Sequence, residues 1–228
     1  MVSHPFILFF YYLTEKINRI LYIFHKNIIR KNYEENCSAE SLSENVFLED
    51  QSGVSGMYYG SGDFSRSGCA AAALYNTLLS LGIPMPLPDI IRLFEKNGAS
   101  VFATFGTAPW ASVTLLRKTL TAGSVSKCAD RRRFKDLAES SRVIIYTIMN
   151  NRRKITRMLH TICVERVSSD GHDNLLPGSR PTGCRYIVHN SHGRAETYSS
   201  YEDMMYSLGD GGGKADGVYM VGIRKARS

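Results

Sequence analysis

The chain lacks an apolar run long enough to span a bilayer. The strongly apolar stretch at 5–13 (PFILFFYYL) is closed by Glu15 and Lys16, well short of the roughly 20 residues that a spanning helix needs. A secretory signal is also missing, because His4 is the only candidate base ahead of that run and no small-residue cleavage site follows it. The five cysteines, Cys37, Cys69, Cys128, Cys163 and Cys184, are odd in number and include no CxxC pair. That speaks against a disulfide framework or a zinc ribbon and for a reducing compartment, so a cytoplasmic location is expected. No internal repeat is present. The basic residues outnumber the acidic by 28 to 21, for a formal charge of +7. They are scattered instead of interleaved with aromatics, so nucleic acid is not an expected partner.

What is present is the composition of a folded globular protein, with 43% apolar and 21% charged residues in 228, enough for one catalytic-size domain and an appendage. Residues 1–33 read as a basic amphipathic helix. Leu13, Ile17, Ile20, Leu21, Phe24 and Ile28 recur at spacings of three and four, and Lys16, Arg19, Lys26, Arg30 and Lys31 lie mostly off that stripe. Such a stripe suits either a membrane interface, which would hold the chain at the inner face of the membrane, or packing on its own domain or a partner. Residues 34–56 are polar, acidic and rich in Ser and Asn, and read as a linker.

From residue 57 onward helix and strand signals dominate. The segments 70–81 (AAAALYNTLLSL), 87–96 and 107–120 carry helix formers, caps and Gly stops. The segments 142–149, 160–167, 184–190 and 217–224 are rich in Val, Ile and Tyr and read as strands, with a turn-rich connection at 168–183 and a short helix at 198–208. Helices first and strands later predict an α+β fold, a helical half packed on an antiparallel sheet.

The chemistry centres on Gly68-Cys69, which immediately precedes the helix of small and apolar residues. A cysteine at a helix N-terminus meets unpaired N–H groups and the positive end of the helix dipole, which favour thiolate and can bind an oxyanion. His160 opens one strand and Asn190 closes the next. In neighbouring antiparallel strands those two ends lie side by side. An imidazole can take the thiol proton, and an amide oxygen can accept from its other N–H and fix the tautomer.

The order of these elements resembles the papain-like cysteine peptidases, in particular the compact bacterial branch with the bacteriocin leader-processing peptidase domains. The likeness is carried by SGCAAAALYNTLLSLG, FGTAPWASVTLLRKTL, HTICVE and IVHN. It implies a papain-like catalytic domain over 57–228 and a cysteine hydrolase that cleaves a peptide or amide bond through a thioester acyl-enzyme. In it Cys69 would be nucleophile, His160 base and Asn190 the residue that orients the histidine. It implies no cofactor and a peptide substrate, and acyl transfer to an amine would use the same residues. The family's oxyanion Gln falls at Asp63, whose carboxylate would repel an oxyanion, so Ser65, Ser67 or the Cys69 N–H must serve, with Gly68 leaving room for the substrate carbonyl. Gln51 is too far upstream to fit that spacing. The departure keeps a weak or inactive peptide-binding domain as the alternative, beside a membrane-associated interaction protein.

Other constellations are weaker. His189, His192, Cys184 and Cys163 invite zinc, but Cys184 and His189, like His160 and Cys163, are an odd number of residues apart on a strand and face opposite sides, so no metal site is expected. GDGGGK at 209–214 lacks the phosphate-loop spacing. Trp110, Tyr58 and Tyr59 suit packing better than a cleft wall, and 131–133 (RRR) reads as a solvated helix start. Substrate identity and oligomeric state are not legible.

Overall fold

The computed structural model describes residues 4–39, 45–97, 99, 101–120, 124–150, 159–168, 184–191, 193–209 and 213–224. It is a mixed α+β protein built around an antiparallel sheet. The basic runs at 152–154 and 225–227, the connection at 169–183, His192 and the middle of the 209–214 turn lie outside the described residues.

Seven helices and two sheets follow in chain order: α1 (His4–Ser38), β1 (Tyr58–Tyr59), β2 (Gly62–Asp63), α2 (Phe64–Ser67), α3 (Cys69–Ser80), α4 (Leu87–Asn97), α5 (Ala111–Thr119), β3 (Val125–Cys128), α6 (Phe134–Glu139), β4 (Val143–Met149), β5 (Leu159–Ser168), β6 (Cys184–His189), β7 (Glu196–Tyr198), α7 (Tyr201–Ser207) and β8 (Gly217–Ile223). Two 3-10 turns lie wholly within the described residues, Gln51–Gly53 and Arg131–Arg133. The main sheet runs β3-β8-β4-β5-β6-β7 with every pair antiparallel. Helices cover both of its faces. Val143 and Ile145 of β4 pack with α3 and α4, whereas Ile144, Tyr146 and Ile148 pack with Phe134 and Leu137 of α6 and Met204 and Met205 of α7. A strand buried on both sides reads as a near-continuous apolar run, which is why β4 is VIIYTIM without alternation, with the hydroxyl of its one Thr, Thr147, bonded to Thr161.

The strand and helix expectations over 70–97 and 142–224 agree with these elements to within a few residues. α5 is shorter than expected, because Thr107 pairs with Ala99 in an isolated bridge and bonds Tyr59 through its hydroxyl instead of capping a helix.

Two differences concern the N-terminal third. The 34–56 stretch expected as a linker is helical to Ser38, and its later part is a packed strap. Leu48 and Val54 are buried, and the buried amide of Asn76 on α3 accepts from the Leu48 N–H at 2.8 Å and donates to its carbonyl at 2.9 Å. α1 packs against the rest of the chain, but through the face opposite to its apolar stripe. Its inner side presents Tyr11, Glu15, Asn18, Asn32 and Asn36, all buried. Asn36 exchanges two bonds with the Tyr58 backbone, and Asn32 donates to the Gly60 carbonyl and to Glu95. Asn18 accepts from the Phe102 N–H at 2.6 Å. That last bond steadies three successive left-handed residues, Val101, Phe102 and Ala103, a conformation costing roughly 1–2 kcal/mol per non-glycine residue. Gly60 is required beside them, since a Cβ there would lie 2.0 Å from the Phe102 carbonyl oxygen.

Candidate active site

Cys69 is the first residue of α3, and Gly68 before it has no side chain with which to cap the helix. The first N–H groups of α3 therefore point at the thiol's surroundings without a capping acceptor. Gly68 is needed for packing: a Cβ there would sit 2.3 Å from the Phe64 ring and 2.7 Å from the Phe64 carbonyl. The buried Phe64 beneath it thus gives Gly68 a packing reason beside the expected one, space for a substrate carbonyl.

His160, near the start of β5, lies beside the Cys69 thiol, close enough for each to shift the other's proton affinity. Its Nε2 lies 2.7 Å from the backbone carbonyl oxygen of Asn190. A carbonyl can only accept, so Nε2 carries a proton and Nδ1 is left for Cys69. Burial alone would push the thiol up and the imidazole down. The proximity and opposite charge of the partner outweigh burial in both, helped at Cys69 by the nearby Thr161 N–H and hydroxyl and at His160 by the Asn190 carbonyl. Cys69 is thereby held below the ordinary thiol range and His160 above the ordinary imidazole range, the signature of a thiolate–imidazolium pair. Thr161 and Thr147, whose hydroxyls meet at 3.1 Å on adjacent strands β5 and β4, are a support that no sequence motif marks.

Strand pairing brings Asn190 to His160 by the expected route, since β5 and β6 are antiparallel with Cys163 opposite His189. The group that meets the ring differs: the main-chain carbonyl accepts, not the side-chain amide. Asn190 sits at φ +61°, a left-handed conformation that Asn tolerates better than most residues. Its side chain turns instead to Gln51, accepting from the Gln51 N–H at 3.0 Å and donating to Gln51 Oε1 at 3.0 Å. Gln51 in turn donates through Nε2 to the Ser65 carbonyl at 3.1 Å. A residue that looks too distant along the chain is therefore carried by the strap to the segment just ahead of the nucleophile. Asp63 is exposed, with no side-chain cap to α2 among the described residues. The Ser67 hydroxyl points back to the Asp63 carbonyl at 3.5 Å.

Behind Asn190 lies a second charged group of side chains. His189, 3% exposed, has Nδ1 2.6 Å from Glu49 Oε1 and Nε2 3.1 Å from Glu165 Oε2, and it stacks on Phe47 at 4.2 Å. Burial would lower it, but the two carboxylates win and push it up to about 9. Glu49 also accepts from the Asn190 N–H at 3.4 Å. The cation therefore fastens the strap to the end of β6, the point at which the histidine's acceptor is presented. Nothing in local composition announces this, because Glu49 and Glu165 are over a hundred residues apart.

On the other side of the nucleophile, Tyr11 of α1 donates to the Phe105 carbonyl at 2.9 Å. Gly106 approaches the Ser67 carbonyl, with a Cβ there 3.7 Å away. Burial first, and then the nearby Cys69 charge, push the Tyr11 phenol up. Trp110 donates its indole N–H to Glu15 at 2.6 Å and meets Tyr219 edge-on, so it ties α1 to the sheet. Among the described residues no group of three or more His, Cys, Asp and Glu side chains forms a metal cluster.

Searches against protein-family models, curated proteins and solved structures find no match.

Proposed function

We propose that this chain is a thiol hydrolase of papain-like fold that cleaves a peptide or amide bond through an acyl-enzyme on Cys69. The observation that carries the reading is the adjacent, electrostatically coupled Cys69–His160 pair at an uncapped helix N-terminus, with the far nitrogen of the ring fixed by a carbonyl. The Cys69 thiolate attacks the substrate carbonyl carbon, and the C=O pair moves to oxygen. The Cys69 N–H, with the second amide hydrogen of Gln51 in the role expected of a Gln at position 63, is suited to receive that oxyanion. On collapse the C–N bond breaks, and His160 Nδ1 gives its proton to the departing amine. Water, deprotonated by the now neutral ring, attacks the thioester, returning thiolate, imidazolium and a carboxylic acid. An amine in place of water would make the enzyme a transferase with the same residues. All five cysteines are free, which suits work in a reducing, cytoplasmic setting.

A second reading, a peptide-binding domain without turnover, draws on the exposed Asp63 where an oxyanion donor is expected. A panel of peptidyl fluoromethyl ketones read by intact mass and peptide mapping separates the two. The hydrolase reading expects one adduct, on Cys69, lost in His160→Ala. Absence of any Cys69 adduct across the panel, with reversible peptide binding retained, would favour the binding domain.

A further inference from the structure

α1 has two faces with different tasks. The inner one is packed on the body of the protein, through buried Ile7, Tyr11 and Ile29 and through the bonds of Asn18, Asn32 and Asn36. The outer one is apolar. Phe9, Leu13, Ile17, Ile20, Phe24 and Ile28 are all exposed, Ile20 at 71% and Phe24 at 76%. At 1.5 Å per residue this stripe runs about 29 Å along the helix. Large apolar side chains left in water over that length mark a surface that something covers.

The charges along the helix say what covers it. Between residues 5 and 31 the only carboxylate is Glu15, which is turned inward to Trp110 and bonded by Arg19. The other charged side chains that flank the stripe are cations: Lys16, Arg19 and Lys26, and then Arg30 and Lys31, which lie beside Glu34 and Glu35 at 3.9 and 3.6 Å past the end of the stripe. Lys16 and Lys26 lie over the rings of Tyr12 and Tyr22, at 5.3 and 5.8 Å. A second copy whose stripe fully overlapped this one would bring Lys16 and Arg19 of the two chains together, which like-charge repulsion opposes. An anionic lipid surface takes both features at once: acyl chains accept Ile and Phe while headgroups meet the lysines and arginines. No helix among the described residues is long and apolar enough to cross a bilayer. The protein body lies on the opposite side of α1, so the helix can lie flat without obstruction.

We infer that the outer face of α1 is a docking surface for an anionic phospholipid bilayer, with the helix lying in the interface plane. The test is flotation of the full chain with vesicles of phosphatidylglycerol and phosphatidylcholine in equal amounts, beside vesicles of phosphatidylcholine alone. The protein should float with the anionic vesicles, and less well as salt rises. The paired substitution Ile20→Glu with Phe24→Glu should weaken partitioning at least about tenfold, given what burial of two such side chains contributes. Lys16→Glu with Lys26→Glu should abolish the preference for anionic over neutral vesicles. All four positions are exposed, so unfolding midpoints should stay at the wild-type value. Failure to float, or equal flotation of wild type and both variants, overturns the inference. So does a concentration-dependent dimer that Ile20→Glu with Phe24→Glu dissociates while no flotation occurs, because that result assigns the face to a second copy.

Discussion

Replacing His189 by Gln should convert a pH-dependent stability into a nearly flat one. The folded protein raises this imidazole from 6.5 to about 9, a difference of about 2.5 units, and each unit is worth about 1.4 kcal/mol at 25 °C. The folded state therefore binds a proton that the unfolded chain has begun to release. The stabilisation, about 3 kcal/mol, is fully present below pH 6.5 and is lost as pH rises through about 9. Its origin is geometric: one ring between Glu49 and Glu165, nearly excluded from water. Urea unfolding of wild type and His189→Gln from pH 6 to above 9 measures the difference directly. The gap between the two proteins should be largest at the acid end and shrink by about 3 kcal/mol across that window. A gap that stays constant would mean that His189 is uncharged in the fold and that the strap is not held by an ion pair.

Three further outcomes follow from the same geometry. Burial, only partly offset by Asn32 and the Gly60 N–H, raises Glu95 to about 7. This carboxyl is thus another source of stability present below its unfolded value near 4.5 and lost as pH rises through about 7, and Glu95→Gln should remove about 3 kcal/mol of that slope in a urea series extended down to about pH 4. Gly68→Ala should cost about 1–3 kcal/mol by driving a methyl into Phe64, read as a fall in the thermal midpoint together with slower alkylation of Cys69. Asn190→Gly keeps the left-handed backbone and the carbonyl that His160 uses, and so should leave Cys69 reactivity within a few-fold of wild type, although it gives up the two side-chain bonds to Gln51. A collapse of reactivity to the level of His160→Ala would restore the side-chain amide as the orienting group.

The parts of this molecule that are legible in its sequence are those set by local rules. α3 announces itself through four successive alanines, Leu74 and Leu78 on one face and a left-handed Gly82 at φ +73° just past its end. The pairing of β5 with β6 is legible because His160 and Asn190 mark the adjoining ends of two strongly apolar strands. The parts that are not legible share one cause: polar side chains buried with partners. Hydropathy assigns Asn18, Asn32 and Asn36 to solvent, so the helix is recognised while its packed face is not. The strap over 46–54 looks like a linker because its few apolar residues, Leu48 and Val54 among them, show no period, and much of its anchoring comes from Glu49, Gln51 and backbone groups that find Asn76, His189 and Asn190. Gln51 is missed for a related reason. Spacing along the chain locates a residue only when the path between is known, and here the path doubles back through β1 and β2 before reaching Cys69.

The claim on which the functional reading stands is that Cys69 is a thiolate because His160 holds its proton. The rate of iodoacetamide alkylation at each cysteine as a function of pH, in wild type and His160→Ala, tests it most directly. Cys163 is fully buried and pushed up, so it should stay inert, while the exposed Cys37 serves as an internal reference. Cys69 should react with a midpoint below that of Cys37 and should be the dominant adduct near pH 6, where ordinary thiols with pKa about 8.5 are under about 1% ionised. In His160→Ala that midpoint should rise, because burial would then be opposed only by the Thr161 N–H and hydroxyl. A Cys69 profile that coincides with Cys37 and is unchanged by the substitution would contradict the thiolate–imidazolium pair.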